Sequence, residues 1–310
     1  MRRNKFLALI LGIAIAAGLL GSAAIIFTGI RSQSTVSASR NSDQVKKSLE
    51  PYILEKTKLD EFSEISINLD EANLFLLPAD GFYLEYRLSS LYLEPDYGVS
   101  NGKFHFREGS LQTSFHFLFG NPASRGPFYL NLYVPADQYF DLFHLHLESG
   151  NTELEQLNVK KADLSLSYGN LTLGSFTGDT LDISIDSGHT EWDSVTCKEL
   201  KISASYGDIT GDVLSVSNHA DLNLDSGSLD LKNAKLENTD ISSEYGNITL
   251  DLEDSCSDYN YDLKAEYGTI ELDGTKIEPA EDDTVRYQTQ NKKRKKMIQI
   301  RCDSGNIEIQ

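Results

Sequence analysis

Cysteine is scarce in this sequence, and its three copies, Cys197, Cys256 and Cys302, are widely spaced. No CxxC pair occurs, so neither a disulfide framework nor a cysteine-ligated metal site is predicted. We expect the three residues to be small, buried apolar side chains. The Gly-Gly-x-Gly-x-Asp motif that binds calcium in β-rolls is absent as well. The sequence therefore predicts no metal and no cofactor.

Positive charge is also sparse beyond the N-terminus. Residues 32–310 contain 24 of the 28 basic residues and all 47 acidic residues, which gives a net charge of −23. Such a surface repels nucleic acid and anionic lipid. Nucleic acid is therefore not an expected partner, and solubility is a sufficient reason for the negative charge.

An uncharged run of 25 residues extends from Phe6 to Ile30. A helix over this run would rise ~38 Å, which is enough to cross a hydrocarbon core of ~30 Å. We therefore predict a single-pass transmembrane anchor over residues 6–30. The basic tip, residues 1–5, favours a cytoplasmic N-terminus and an extracytoplasmic C-terminal ectodomain. The alternative is a cleaved signal peptide, whose apolar region is usually shorter.

The rest of the chain divides into three parts. Residues 31–58 are polar and Ser-rich, which predicts a stalk with at most a short helical turn over residues 50–58. Residues 59–148 alternate apolar and polar side chains, which predicts an N-terminal β region. No linker separates this region from residues 149–310, so we expect it to cap or open the repeats found there.

A glycine-containing turn recurs through residues 149–310. Its glycines are separated by 19, 19, 19, 20, 19, 22 and 37 residues, and apolar residues alternate with polar ones on both sides. This pattern predicts an all-β fold, a single-stranded β-solenoid (β-helix-like) with a period of about 19 residues. The last interval suggests a double step in which one corner has been overwritten. The predicted corner glycines, expected to have positive φ, are Gly150, Gly169, Gly188, Gly207, Gly227, Gly246, Gly268 and Gly305.

Serine and tyrosine alternate at the position before the corner glycine. In chain order these residues are Ser149, Tyr168, Ser187, Tyr206, Ser226, Tyr245, Tyr267 and Ser304. Packing of each large ring beside small neighbours is one interpretation. The other is an exposed aromatic ladder, with rings ~9.5 Å apart, on which sugars of a wall polymer could stack.

Three segments resemble a known family: "ISINLDEANLFLLPADGFYLEY", "FYLNLYVPADQYFDLFHLHLESGNTEL" and "IQIRCDSGNIEIQ". They are similar to the bacterial putative-adhesin β-strand-repeat family of unknown function, over roughly residues 60–310. Members of that family include membrane-anchored proteins from envelope-stress operons of Gram-positive bacteria. The resemblance implies an extracytoplasmic β-solenoid and carries over no catalytic residue.

Catalytic and metal-binding patterns are weak. Carboxylates precede three Ser-Gly corners, at Asp186, Asp225 and Asp303, where they are typical of turn residues. His105 and His116 each lie between phenylalanines, and His144 and His146 share one strand face as zinc ligands might. Alternation places all four histidines opposite the apolar row or at its edge, so exposed side chains are expected instead.

One basic segment interrupts the acidic sequence, between two stretches that are typical of strands. It is expected to form the tip of a hairpin-like excursion, either as a solvated loop that protects a sheet edge or as a contact for an anionic polymer or headgroup. Its basic residues are Lys292, Lys293, Arg294, Lys295 and Lys296.

These observations favour a non-enzymatic, membrane-anchored envelope protein that interacts with a cell-wall polymer or an envelope protein. A carbohydrate-active β-helix enzyme acting on an envelope or extracellular polysaccharide is the alternative. The enzyme would require clustered ionisable groups with strongly shifted pKa values, whereas a flat face of Ser, Thr, Asn and Asp would favour the non-enzymatic protein.

Overall fold

The computed structural model describes residues 50–111, 126–279 and 284–310. The predicted tip and anchor, the predicted stalk up to residue 49, and His116 lie outside these ranges. Within them, no helix combines the length and the apolar character that crossing a membrane requires.

Twenty strands of the described residues form one sheet, beside a single 3-10 turn, Cys256–Asp258. The all-β prediction is confirmed. The first strands are β1 (Tyr52–Lys58), β2 (Glu64–Glu71), β3 (Asn73–Ala79), β4 (Tyr83–Leu88), β5 (Asp96–Ser100), β6 (Lys103–Arg107), β7 (Tyr129–Pro135) and β8 (Tyr139–Ser149). The long strands are β9 (Thr152–Tyr168), β10 (Leu171–Ser187), β11 (Thr190–Tyr206), β12 (Ile209–Ser226) and β13 (Leu229–Tyr245). The last strands are β14 (Ile248–Leu252), β15 (Tyr259–Tyr267), β16 (Ile270–Leu272), β17 (Thr275–Ile277), β18 (Val285–Gln288), β19 (Lys296–Ser304) and β20 (Ile307–Ile309).

The long strands pair in parallel, each with the strand one repeat away. Thr190 of β11 lies opposite Leu171 of β10 and Ile209 of β12, a shift of 19 residues in each direction. The shift from β12 to β13 is 20 at Ile209 and 19 from His219 onward. Alternate residues face inward and join one core. The inward residues of β10, each at most 1% exposed, are Leu171, Leu173, Phe176, Leu181, Ile183 and Ile185.

The first eight strands close one end of this sheet. Strands β2 and β3 pair in parallel with β8 and β9 on one side and with β6 and β7 on the other. Strands β1, β4 and β5 add antiparallel pairs at the outer edges. The helical turn expected over residues 50–58 is therefore wrong. Tyr52 and Leu54 alternate toward the core, and β1 pairs with the backbone of β4, whose edge would otherwise be open.

The other end of the sheet departs from chain order. Strand β19 pairs in parallel with β13 on one side and with β15 on the other, and β20 lies in the same way between β14 and β16. The interval of 37 residues is therefore not a double step. The chain first builds β15 and β16, covers them with the antiparallel strands β18 and β17, and then returns to fill the place beside β13.

Candidate functional site

The residues before the corner glycines form a continuous row across the sheet. Its spatial order, given by the strand pairings, is Ser149, Tyr168, Ser187, Tyr206, Ser226, Tyr245, Ser304 and Tyr267. The sequence places Tyr245 and Tyr267 at successive corners, but the inserted strand β19 brings Ser304 between them. Serine and tyrosine therefore alternate without a break in space, although they do not in sequence.

The four tyrosines of this row are exposed. Tyr168, Tyr206, Tyr245 and Tyr267 retain 61–68% of their accessible surface. Two strand spacings separate successive rings, so their attachment points lie about 9.6 Å apart along one line. This exposure favours the second interpretation of the alternation, an aromatic ladder, over packing of the rings. We call the four residues the tyrosine row.

The corner glycines hold the row in register. Seven of the eight have φ between 136° and 156°, and Gly268 is not among them. A Cβ at Gly207 would overlap the carbonyl oxygen of Gly188, because the corners of successive repeats stack backbone on backbone. The amide of Gly207 in turn donates to the Ser226 carbonyl at 3.0 Å.

A second row, directly after the glycines, was missed by the sequence-based reasoning. The side-chain oxygen of Asn151 accepts the backbone N–H of Asn170 at 3.0 Å, and Asn170 accepts that of His189 at 2.9 Å. Asn247 and Asn306 continue the pattern, since the first accepts from the second at 3.0 Å. The signal was an amide, hydroxyl, carboxyl or imidazole side chain after every corner glycine, namely Asn151, Asn170, His189, Asp208, Ser228, Asn247, Thr269 and Asn306.

Carboxylates border the tyrosine row on the serine repeats. Glu148, Asp186, Asp225 and Asp303 lie two residues before their glycines and are exposed. The carboxylates of Asp186, Asp225 and Asp303 accept no hydrogen bond from a described residue. The turn-forming role expected for these three side chains belongs instead to the residues after the glycines. No lysine or arginine stands within two residues of a corner glycine.

A known protein family matches most of this chain. The model of the family described as Toastrack DUF4097 matches residues 62–310. The chain belongs to the Toastrack DUF4097 family. This confirms the family resemblance seen in the sequence. No curated protein matches the chain.

Several solved structures resemble this Toastrack chain at low sequence identity. A "putative cell adhesion protein" from Clostridium sporogenes is 12% identical, covers 84% of this chain and 99% of its own, and has a TM-score of 0.27. A "putative lipid binding protein" from Parabacteroides distasonis is 14% identical over 84% and 97%, with a TM-score of 0.43. A "putative adhesin" from Bacteroides fragilis is 9% identical over 84% and 97%, with a TM-score of 0.29.

The basic segment of the Toastrack chain is only partly exposed. Its flanking strands are present, but β18 and β19 lie on opposite edges of β15 and do not form a hairpin. Lys292, Lys293 and Lys295 are exposed. Arg294 donates to the Tyr259 carbonyl at 2.9 Å. These contacts fix one part of the segment against β15.

Lys296 differs from the other four basic residues. Its Nζ lies 2.6 Å from an Asp254 oxygen and 3.7 Å from a Glu237 oxygen, and 5.2 Å from the centre of the Tyr259 ring. Burial opposes its charge, but the bond to Asp254 and the neighbouring Tyr259 and Glu237 together raise its pKa. The interpretation of the whole segment as a solvated loop therefore fails for Lys296.

The carboxylates with raised pKa lie at the corner beyond Ser149, the serine end of the row, where Glu71 pairs with Ser149. Burial raises the pKa of Glu108, which is 5% exposed, and that of Asp70. Oε2 of Glu108 accepts the backbone N–H groups of Asp70 at 2.8 Å and Glu71 at 3.1 Å. This carboxylate thus caps the corner between β2 and β3, and a polymer could not reach it.

The histidines pair with single acids. His144 lies 3.3 Å from Asp163, and His146 lies 3.0 Å from Glu148. His105 approaches Asp96 at 3.8 Å. In the part of the chain that the structure describes, no group of three or more His, Cys, Asp or Glu side chains is placed to hold a metal ion.

All three cysteines are free thiols. Cys197 and Cys302 are buried, and burial raises the pKa of their thiols to about 12 and about 11. Both therefore behave as small apolar core residues, as the sequence predicts. Cys256 is the first residue of the 3-10 turn and is only half-buried, so the expectation of a buried side chain does not hold for it.

Proposed function

We propose that this Toastrack chain is a non-enzymatic, single-pass membrane protein of the cell envelope. Residues 6–30 cross the membrane, the N-terminus lies in the cytoplasm, and a β-solenoid with a period of about 19 residues lies outside. The uncharged run, the basic tip and the acidic character of residues 32–310 support this arrangement.

The tyrosine row carries the functional part of the proposal. Four exposed aromatic side chains at a regular spacing along one line offer an ordered series of contacts to an extended ligand, because aromatic rings contribute strongly at binding surfaces. Serine, asparagine and acidic side chains surround most of the row. Basic side chains approach it at the Tyr267 end, where Lys276 lines the same cavity as Tyr267. At the same end, Lys264 pairs with Glu266. Such a face suits contact with an envelope component, in keeping with an adhesin-like role.

The positions of the titratable groups support the proposed non-enzymatic character. General acid–base catalysis on a polymer needs two groups in reach of one exposed bond. Within the described residues, the acids with raised pKa are Asp70 and Glu108, and Glu108 is a buried acceptor of backbone N–H groups.

Binding to envelope fractions tests this function. Full-length protein in detergent micelles is incubated with purified wall and membrane fractions of the producing organism and sedimented. Serine at all four tyrosines of the row should abolish most of the sedimentation, while the melting temperature should change little, since serine already occupies the intervening positions. Tyr139→Ser is the matched control, because Tyr139 is 51% exposed and lies outside the row. Unchanged sedimentation of the four-fold variant would refute the proposal.

A further inference from the structure

The alternation along the tyrosine row specifies more than a generic adhesive surface. We propose that the row binds a linear, uncharged, β-1,4-linked glycan, with every second sugar stacked on a tyrosine. This inference rests on the function proposed above and names the class of ligand.

The first argument is the period. A β-1,4-linked glycan is extended, and each pyranose ring is turned over relative to the one before it. The same ring face therefore recurs at every second sugar. Two linked pyranose rings span nearly the same length as two strand spacings, about 9.6 Å. The order tyrosine, serine, tyrosine, serine matches this two-sugar repeat.

The second argument is the chemistry at each position. One face of a pyranose ring presents C–H groups, which pack on an aromatic face through dispersion and weak C–H contacts. The ring edge carries hydroxyl groups that need hydrogen-bond partners. On the intervening repeats stand serine hydroxyls, and beside them the carboxylates of Asp186, Asp225 and Asp303, which accept no hydrogen bond from a described residue. The tyrosine repeats therefore offer an aromatic face to the C–H groups of a sugar, and the serine repeats offer hydrogen-bond partners to the hydroxyl groups of the next sugar.

The third argument is charge. Acids lie within two residues of the corner glycines and no lysine or arginine does. Lys276 approaches only the last corner, beside Tyr267 and Gly268. A polyanion such as a phosphate-linked polymer would be repelled from this face. Neutral sugars carry no such penalty, and carboxylates are good acceptors for their hydroxyl groups.

A proline-rich peptide is the principal competitor. A polyproline II helix repeats about every 9.3 Å, which also approaches the spacing of the tyrosines. Such helices dock in grooves lined by several aromatic rings. Tyr168, Tyr206 and Tyr245 each stand between two serine repeats, and Tyr267 has one serine neighbour at the end of the row. All four are about two-thirds exposed. A single exposed ring suffices as a platform for one sugar face, so the geometry favours the glycan.

The binding should gain strength from repetition. Each stacked sugar contributes little alone, but the second and later contacts on one chain are intramolecular. The row extends over six strand spacings, about 29 Å. A glycan long enough to reach all four tyrosines should therefore bind far more tightly than a disaccharide.

A length series of soluble oligosaccharides tests this inference. Full-length protein in micelles is titrated calorimetrically with β-1,4-linked glucose and N-acetylglucosamine oligosaccharides of two to eight rings. The affinity should rise on the order of tenfold or more from the tetrasaccharide to the octasaccharide. It should change little with salt, because the ligand is neutral. Absence of length dependence, or of binding by the octasaccharide, would overturn the inference.

Single substitutions keep the test independent of folding. Tyr206→Ser and Tyr245→Ser should each remove most of the gain with length, Tyr206→Phe should retain it, and Tyr139→Ser should have no effect. A proline-rich peptide that binds through the row when the octasaccharide does not would exclude the glycan and preserve the proposed function. The same holds if the four-fold variant loses envelope binding but no oligosaccharide binds. If the four-fold variant keeps both envelope binding and oligosaccharide binding, both proposals fail.

Discussion

At the scale of single residues, two constraints require glycine at the corners: a positive φ and the close approach of a neighbouring backbone. Gly207 has φ 136°, and a Cβ there would also overlap the Gly188 carbonyl oxygen. Gly102 has φ 74° with no heavy atom within 4 Å of an added Cβ. The two positions therefore separate backbone strain from steric overlap.

We expect Gly102→Ala to lower the free energy of unfolding by about 1 kcal/mol, the cost of left-handed backbone in an L-residue. Gly207→Ala should cost more, about 3 kcal/mol, because its neighbour must also shift. Gly207→Val and Gly246→Val should each lower the stability at least as far. Chemical denaturation measures each difference. Equal losses for the two alanine variants would mean that the corners do not stack as described.

Glu108 makes stability depend on pH. Burial raises its pKa above the ordinary value of 4.5. Its stabilising contribution is therefore present in full below the unfolded pKa and is lost as the pH rises through the folded pKa. Glu108→Gln cannot ionise, so the stability of the variant relative to the parent should increase from about pH 4 to pH 7. Denaturation midpoints across this range measure the difference, and a constant difference would contradict the assignment.

At the scale of elements, the inserted strand β19 decides the order of the last repeats. Ile298 and Ile300 of β19, and Ile307 and Ile309 of β20, are at most 1% exposed. Without these strands, β13 and β15 would each present an unpaired edge. Another extended chain could then form backbone hydrogen bonds with either of these edges.

Deletion of residues 296–310 should therefore lower the melting temperature substantially. A synthetic peptide of the same fifteen residues should restore much of it when added in excess, because binding to the folded state stabilises it. A peptide carrying Gly305→Val should not, since a side chain there would overlap the Gly246 carbonyl oxygen. A deletion variant that melts with the parent would show that β19 is dispensable.

Substitutions in the basic segment should have two different effects on stability. Replacing Lys292, Lys293 and Lys295 with serine should leave the stability unchanged, because these side chains are exposed. Lys296→Ser should cost on the order of 1–2 kcal/mol, since it removes the cation from Glu237 and from Asp254, which keeps, among the described residues, only the Tyr259 hydroxyl as a hydrogen-bond donor. Thermal melts measure both. A stability loss in the triple variant would contradict this division.

The triple variant also tests the anionic-polymer contact predicted for this segment. If the three lysines bind such a polymer, their loss should weaken sedimentation with wall or membrane fractions at low ionic strength. The difference should shrink as added salt shortens the Debye length below ~8 Å. Equal binding at low salt would leave the segment a solvated loop beside the edge of β15.

The sequence predicts the elements better than their order. Alternation and the repeated glycine define the strands and the inward residues of β9 to β13. It does not distinguish the corner at Gly268 from the corner at Gly305, because both repeats carry the same apolar positions and fit the same neighbour. Only the strand pairing shows whether β15 or β19 lies beside β13. The same pairing decides whether tyrosine and serine alternate along the row. The inward alternation of Tyr52 and Leu54 was a signal for β1 that the Ser-rich composition before it obscured.

At the scale of the whole molecule, the proposed topology makes one clear prediction. A tag placed at the C-terminus should be removed when protease is added to intact spheroplasts, because residues 32–310 lie outside in this arrangement. The control is the same protein with its tag at the N-terminus, which is cytoplasmic in this arrangement. That N-terminal tag should survive the same protease treatment. Recovery of the ectodomain in the medium with a new N-terminus near residue 30 would instead indicate cleavage.

The order of the last strands also has a kinetic consequence. The row positions of β13 and β15, Tyr245 and Tyr267, are 22 residues apart in the chain, whereas Tyr245 and Ser304 of β19 are 59 apart. Closing the longer loop costs about 1 kcal/mol more in chain entropy. A non-native contact in which β15 pairs directly on β13 therefore has time to form first, and it satisfies the same apolar pattern. Refolding must keep these two strands apart, or separate them again, before the native sequence of neighbours can be reached.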